Sequence, residues 1–166
     1  MFSIVLFFIV IGVAFASVYY AMPPGNNQQN QSASTTATYG LPADDPTLRI
    51  CTAGSNIVLT MKISLRITLL GNALKIPARI GASAGCIRPI HTVDASGTIY
   101  IESPVTYPFA LRDFFAVWNQ PFNKNQIFSL TATSGHTITM TVNSTPSNDY
   151  ENHIFQNGDQ IAITYT

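Results

Sequence analysis

Charge is what this chain has least of. Only 10% of its 166 residues are charged, eight basic against eight acidic, where soluble domains carry about 25%. A formal net charge of zero leaves no basic footprint for nucleic acid and no attraction to an anionic membrane surface. The sequence also lacks a Gly-rich phosphate loop, a nucleophile elbow and a basic patch interleaved with aromatics, so it offers no motif for nucleotide or serine-hydrolase chemistry. It has no internal repeat. Histidine is limited to three residues and cysteine to two. What remains is a polar surface built from Ser, Thr, Asn and Gln, neutral over a wide pH range. Beneath it, 46% hydrophobic residues are enough for one sizeable core.

The apolar residues are unevenly placed. Phe2 to Met22, FSIVLFFIVIGVAFASVYYAM, carries no charged side chain over about 21 residues, and a helix of that length spans a bilayer core of about 30 Å. Tyr19 and Tyr20 fall where an interfacial aromatic belt would lie. No Lys or Arg precedes the run, and it exceeds the apolar region of about 7–15 residues of a secretory signal. Ala14, Ala16 and Ser17 still offer a cleavage point. Residues 1–22 are therefore read as an uncleaved membrane anchor, with a signal segment as the alternative, and either reading exports the remainder of the chain. Residues 23–47, PPGNNQQNQSASTTATYGLPADDPT, lack periodicity and read as a flexible tether. Asn30 and Asn143 each open a glycosylation sequon, a permissive motif in a chain rich in Asn, Ser and Thr.

Residues 48–166 read as one extracytoplasmic domain made mostly of strands. In Ile57 to Leu70, Leu59, Met61, Ile63, Leu65, Ile67 and Leu69 alternate with Lys62, Ser64, Arg66 and Thr68. That period of two predicts a long half-buried strand. Gly71-Asn72 predicts a turn, and Ala73 to Ile80 a returning strand. Ile87 to Ile90, Thr98 to Glu102, Phe128 to Thr133, His136 to Asn143 and Gln160 to Tyr165 are further strands, the last entered through the turn Asn157-Gly158-Asp159. Only Phe109 to Trp118 has helical spacing, with Leu111, Phe114, Phe115 and Trp118 three and four apart, and Pro121 stops it. The expected class is α+β, a mixed sheet with one crossing helix, in an order that resembles the β-grasp arrangement. A β-sandwich with one helix is the alternative.

Cys51 and Cys86 form an even count in an exported chain, which favours a disulfide closing a loop of roughly 35 residues. A thiol ligand or nucleophile is the competing use, and no carboxamide or second base supports it.

The block IPARIGASAGCIRPIHTVDASGTIYIESPVTYPFALRDFFAVWNQPF resembles a group of uncharacterised exported proteins of archaea and some bacteria, the similarity running over about residues 60 to 166. His91, Asp94, Gly97, Glu102, Ser103, Pro104, Phe114, Phe115, Trp118, Gln120, Pro121 and Phe122 match. The resemblance implies HTHD where this chain has His91-Thr92-Val93-Asp94, and a histidine where Tyr100 stands. It implies further histidines near Thr60 to Lys62, and glycines where Arg112 and Asn119 stand. It implies a fold and an exported location but no activity. A full set of those histidines would suit copper or zinc. This chain retains His91, with Asp94 and Glu102 as the other candidate ligands, one imidazole and two carboxylates. The reading preferred is that no metal is held and that His91 and Asp94 support a turn.

Three function classes are consistent with these features. The first is a membrane-tethered extracytoplasmic interaction or structural module, an accessory subunit of a cell-envelope or membrane complex with protein partners there. It would be anchored by its N-terminal helix, with no catalytic residues and no cofactor. The second is an extracytoplasmic copper-binding protein. The third, a small enzyme with Asp94 and Glu102 as a carboxylate pair, has no supporting motif. The aromatic cluster of Phe109, Phe114, Phe115, Trp118 and Phe122 is expected in the core.

Overall fold

The computed structural model describes residues 41–42, 44–133 and 135–166. The anchor (1–22), the tether up to residue 40 and the Asn30 sequon lie outside the described residues. Among the described residues no helix is long and apolar enough to cross a membrane.

The alternation in the first strand organises the domain. Strand β1, Leu59–Leu69, buries Ile63, Leu65 and Ile67 on one face and exposes Lys62, Ser64 and Arg66 on the other. An eleven-residue strand is long enough to take three neighbours. β12, Gln160–Tyr165, lies parallel to it with Ser64 opposite Gln160 and Leu69 opposite Tyr165. On its other side β6, Thr98–Ser103, is antiparallel to the first half, Leu59 opposite Ser103 and Ser64 opposite Thr98. The last residues pair with β2, Asn72–Leu74. β10, Ile138–Val142, is antiparallel to β12, and β11, Thr145–Pro146, to β10. β5, Ile90–His91, closes the opposite edge against β6. The order is β11-β10-β12-β1-β6-β5, a mixed sheet. Two minor sheets complete the strands: β3, Ala82–Ser83, with β4, Cys86–Ile87, and a meander of β7, Phe122–Asn123, β8, Gln126–Ile127, and β9, Leu130–Thr131.

Helix α2, Leu111–Val117, buries Leu111, Phe114 and Phe115 completely or nearly so. It lies beside β5, β7 and a 3-10 turn at Tyr150–Asn152. Phe115 stacks on Phe122 at 4.5 Å between ring centroids, and Trp118 meets Phe114, Phe115 and Phe128. The aromatic cluster is core, as the spacing predicts. The helix closes with Asn119 at φ 59. Asn119 N–H donates to Ala116 O and Gln120 N–H to Phe115 O, the paired bonds that satisfy the last carbonyls of a helix ending in a left-handed residue.

The expected strand Ile87 to Ile90 is split between β4 and β5, and Phe128 to Thr133 shortens to β9; three other boundaries differ from the sequence reading for a clear physical reason. The first hairpin turns at Leu70-Gly71, both at positive φ (47° and 79°), and Asn72 already belongs to β2. The right-handed twist of the flanking strands selects this primed turn, and an exposed leucine accepts the strain. The returning strand stops at Leu74 because Pro77 cannot donate to a ladder, although Ile76 and Ile80 remain buried. The third difference is the end of the tether. Leu41 is buried, Asp45 accepts from Thr47 N–H at 2.8 Å, and α1, Pro46–Arg49, begins there with Pro46 in its first turn. Asp and Pro, read as linker composition, here serve as N-cap and helix start, so residues 44–47 belong to the folded domain.

Cys51 and Cys86 are joined in a disulfide. The bridge fastens the segment after α1 to β4, and Thr52 N–H donates to Ile87 O beside it at 2.8 Å. Closing a loop with a separation of 35 residues removes unfolded-state freedom, so a Cys51→Ser, Cys86→Ser double variant is expected to lose about 3 kcal/mol in denaturant unfolding. A midpoint unchanged by the double substitution contradicts this.

Gly97 marks where β1 passes from β6 to β2. Its carbonyl accepts from Leu65 N–H at 2.9 Å, its φ is +86°, and an added Cβ would sit 2.4 Å from Leu65 O. Gly97→Ala therefore combines backbone strain with a clash against main chain, and is expected to destabilise by on the order of 3 kcal/mol. Gly158 has a similar φ of +90° but nothing within 4 Å; Gly158→Ala should cost only about 1 kcal/mol. Thermal melts of the two variants check the difference, and equal losses would refute the clash.

Candidate functional site

The residues singled out from the central block do not converge. His91 sits on β5, 6% exposed, opposite Tyr100 of β6. The two rings stack at 5.8 Å, and His91 Nδ1 lies 3.2 Å from Arg88 O, which as an acceptor fixes the proton on Nδ1. Lys62 Nζ lies 5.4 Å from the centre of the Tyr100 ring, above it. Asp94 is exposed in the loop between β5 and β6 and accepts from Ser96 N–H at 2.9 Å. The hydrogen bonds from Ser96 hold its carboxyl below the usual range. That is a side-chain-stabilised turn. Glu102, half-buried, faces Thr60 across the β6–β1 ladder. Cys86 is consumed by the disulfide. Among the described residues no three His, Cys, Asp or Glu side chains cluster as a metal would require.

The other two histidines serve elsewhere. His136 Nδ1 lies 3.1 Å from Thr166 O and its ring stacks on Tyr165. His153 Nε2 lies 2.9 Å from Asp159 Oδ2. Asp159, 4% exposed, also accepts from Gln156 N–H and from Asn143 Nδ2, while Asn143 Oδ1 accepts from Gln160 N–H. This network fastens the start of β12 to the β10–β11 turn.

A different feature is assembled by the fold. One face of the sheet carries the core; the other carries Thr60, Lys62, Ser64 and Arg66 of β1, Thr98, Tyr100 and Glu102 of β6, Gln160, Ala162 and Thr164 of β12, and Thr139 and Thr141 of β10, none of them buried. Three depressions of about 160, 180 and 350 Å³ open on this sheet, and Ser64 lines all of them. Arg66 lines two and forms no ion pair among the described residues. Ligand pockets for small molecules run from about 300 to 1,000 Å³; two of the three depressions fall below that range and the third lies at its lower end. The alternation of residues 57–70 already places Lys62, Ser64, Arg66 and Thr68 on the polar face of the strand. Their meeting with β10 and β12 residues about 75 to 100 positions away is set by ladder register, for which no local signal exists.

A second polar cluster lies under the helix. Asp113 is wholly buried; one carboxylate oxygen accepts from Ala110 N–H at 2.7 Å. The other has no hydrogen bond and lies 3.6 Å from Arg112 Nε. Burial, together with the charge of Asp45, pushes its pKa up to about 6 against the opposing Ala110 bond and Arg112. Tyr107, whose hydroxyl donates to Asp45 Oδ2 at 3.0 Å, is pushed up to about 12 by burial and by that bond. Thr47 Oγ1, also fully buried, has no partner among the described residues.

No family model, no curated protein and no solved structure matches the chain.

The Asp113 shift has a definite sign. The folded state holds its proton up to about pH 6, the unfolded chain only to about pH 4. Between these values the folded state binds more protons, so stability falls as pH rises through the window and levels off above it. Asp113→Asn keeps an acceptor for Ala110 N–H and carries no charge. Its melting temperature should exceed that of the parent at pH 7.5, by on the order of 2 kcal/mol in stability, and the advantage should shrink through the window and vanish near pH 3, below the unfolded pKa. An equal difference at both pH values would overturn the assignment.

Proposed function

We propose that the chain is a membrane-tethered extracytoplasmic interaction or structural module, an accessory part of a cell-envelope or membrane complex, built on a β-grasp-like domain. The observation that carries this reading is the uncovered polar sheet face with Arg66, which has no ion pair among the described residues, at its centre. A face of that size left free by every described element is available to a partner, and its shallow depressions suit contact across a surface.

Three further observations support it. The Cys51–Cys86 disulfide suits an oxidising, exported location. The first and last long strands, β1 and β12, run parallel at the sheet centre with antiparallel β6 and β10 outside them. With α2 in the connection from β6 to β10, this is the order that characterises β-grasp domains. The apolar run of residues 1–22 supplies an anchor of bilayer length. The copper-binding alternative finds His91, Asp94 and Glu102 apart from one another, and nothing in the geometry favours it.

The full-length protein, solubilised from its native membrane in mild detergent, tests the reading. It should co-purify with a defined partner or envelope component, and Arg66→Glu should abolish that association while Lys124→Glu, at the remote β7–β8 turn, leaves it intact. Association undisturbed by Arg66→Glu would take the function away from this face. Recovery of the chain in the soluble fraction would remove the tether.

A further inference from the structure

The smallest of the three depressions has the chemistry of an anion site. Its construction follows from ladder register. Arg66 of β1, Ala162 of β12 and Thr141 of β10 lie directly opposite one another across three adjacent strands. Side chains at opposed positions stand close together on one face, so a methyl between a guanidinium and a threonine leaves a notch. One row along, Ser64 stands opposite Gln160. The β10–β11 turn, with Asn143 and Ser144 at φ 51° and 68°, brings the Ser144 hydroxyl to the rim. The lining is thus Arg66, Ser64, Thr141, Ser144 and Gln160 around Ala162, with Ile161 beneath. That is one permanent cation, three hydroxyls and a carboxamide, all able to donate, and no carboxylate.

Donors that outnumber acceptors and a guanidinium with no ion pair among the described residues call for an oxyanion. The volume of about 160 Å³ admits a carboxylate and the atoms next to it, not a larger molecule whole. The surroundings decide what bears that carboxylate. Protein interfaces are anchored by desolvated aromatic or large aliphatic side chains. The exposed large hydrophobics of this domain, Val58, Leu70, Ile87, Val93, Val105 and Ile154, all fall outside the outward positions of β1, β6, β10 and β12. The ground around the notch is threonine, serine and glutamine instead, with Tyr100 the one ring. Such a surface pairs with hydroxyls.

We propose that the Arg66–Ala162 notch binds the carboxylate of an acidic saccharide, a uronic-acid unit whose neighbouring sugars lie along the hydroxyl-rich strand face. The proposal rests on the interaction-module reading and names the partner's chemistry.

The test uses the full-length protein in detergent and a trigalacturonate probe, followed by calorimetry at low and moderate salt. Saturable binding is expected. Arg66→Gln should weaken it by about tenfold or more, as loss of a charge-assisted contact does. Ala162→Val fills the notch with a residue that strands accept well and should weaken binding to the same degree with the melting temperature kept. Neutral trigalactose should bind at least tenfold more weakly, and higher salt should weaken the acidic sugar. Absence of saturable binding, or equal affinity in Ala162→Val, overturns the proposal. Binding of tri-glutamate in place of the sugar assigns the notch to a protein partner and overturns the saccharide. If the native association still depends on Arg66 while no sugar binds, the interaction module stands and only this inference falls.

Discussion

The parallel pairing of β1 with β12 is the constraint on which the rest of the domain depends. The two strands come from opposite ends of the described chain, and their ladder runs from Ser64–Gln160 to Leu69–Tyr165. Parallel neighbours cannot be joined by a tight turn, so everything between them is obliged to form the crossover. β6 returns antiparallel on one flank, α2 covers the core, and β10 comes back antiparallel on the other. Because Ile63, Leu65 and Ile67 face Ile161 and Ile163 on the same side, one register also decides which face is core. A slip of one residue would turn Lys62, Ser64 and Arg66 inward. The same contact that stabilises the fold therefore defines the polar outward face.

The start of β12 is correspondingly well fastened. Asp159 accepts from Gln156 N–H, from Asn143 Nδ2 and from His153, and Asn157 Oδ1 accepts from Lys62 N–H. These bonds join the turn before β12 to β1 and to the β10–β11 hairpin. A buried carboxylate left unpaired is strongly destabilising; here every bond it accepts also fixes strand register. Asp113 shows the opposite arrangement. It holds one bond, to Ala110 N–H, and leaves an oxygen orphaned; burial outweighs that bond, so its proton is retained to about pH 6.

Much of this is legible in the sequence where physics is local. The alternation of residues 57–70 gives β1 and its polar face; the three-and-four spacing of Leu111, Phe114, Phe115 and Trp118 gives α2; Gln160 to Tyr165 is β12 to the residue. The Cys51–Cys86 disulfide is the pairing that the even cysteine count favours. Legibility ends where a short element carries no period. β7, β8 and β9 have two residues each, too few to alternate. α1 has four and is held by tertiary bonds from Tyr107 and by the nearby disulfide more than by propensity. The central block draws attention for its unusual residues, yet it places His91 against a backbone carbonyl and Asp94 in a turn. The outward face is visible strand by strand. Its assembly into one surface is not, because register between β1, β12 and β10 is a long-range property.

An open sheet face with little charge must also avoid pairing with itself. Edge-to-edge addition is blocked at both ends of the sheet. β11 has two residues, one of them Pro146, which cannot donate. β5 likewise has two, and the segment before it is tied through Cys86. Face-to-face association is weakened differently: the face is threonine, serine and glutamine, which lose as much in water as they gain in a neighbour, and it carries Lys62 and Arg66 near its centre. A second copy presenting the same cations is repelled, whereas a ligand bearing anions and hydroxyls is not. On a face poor in charge, Lys62 and Arg66 outnumber the one carboxylate, Glu102, and leave its local field positive.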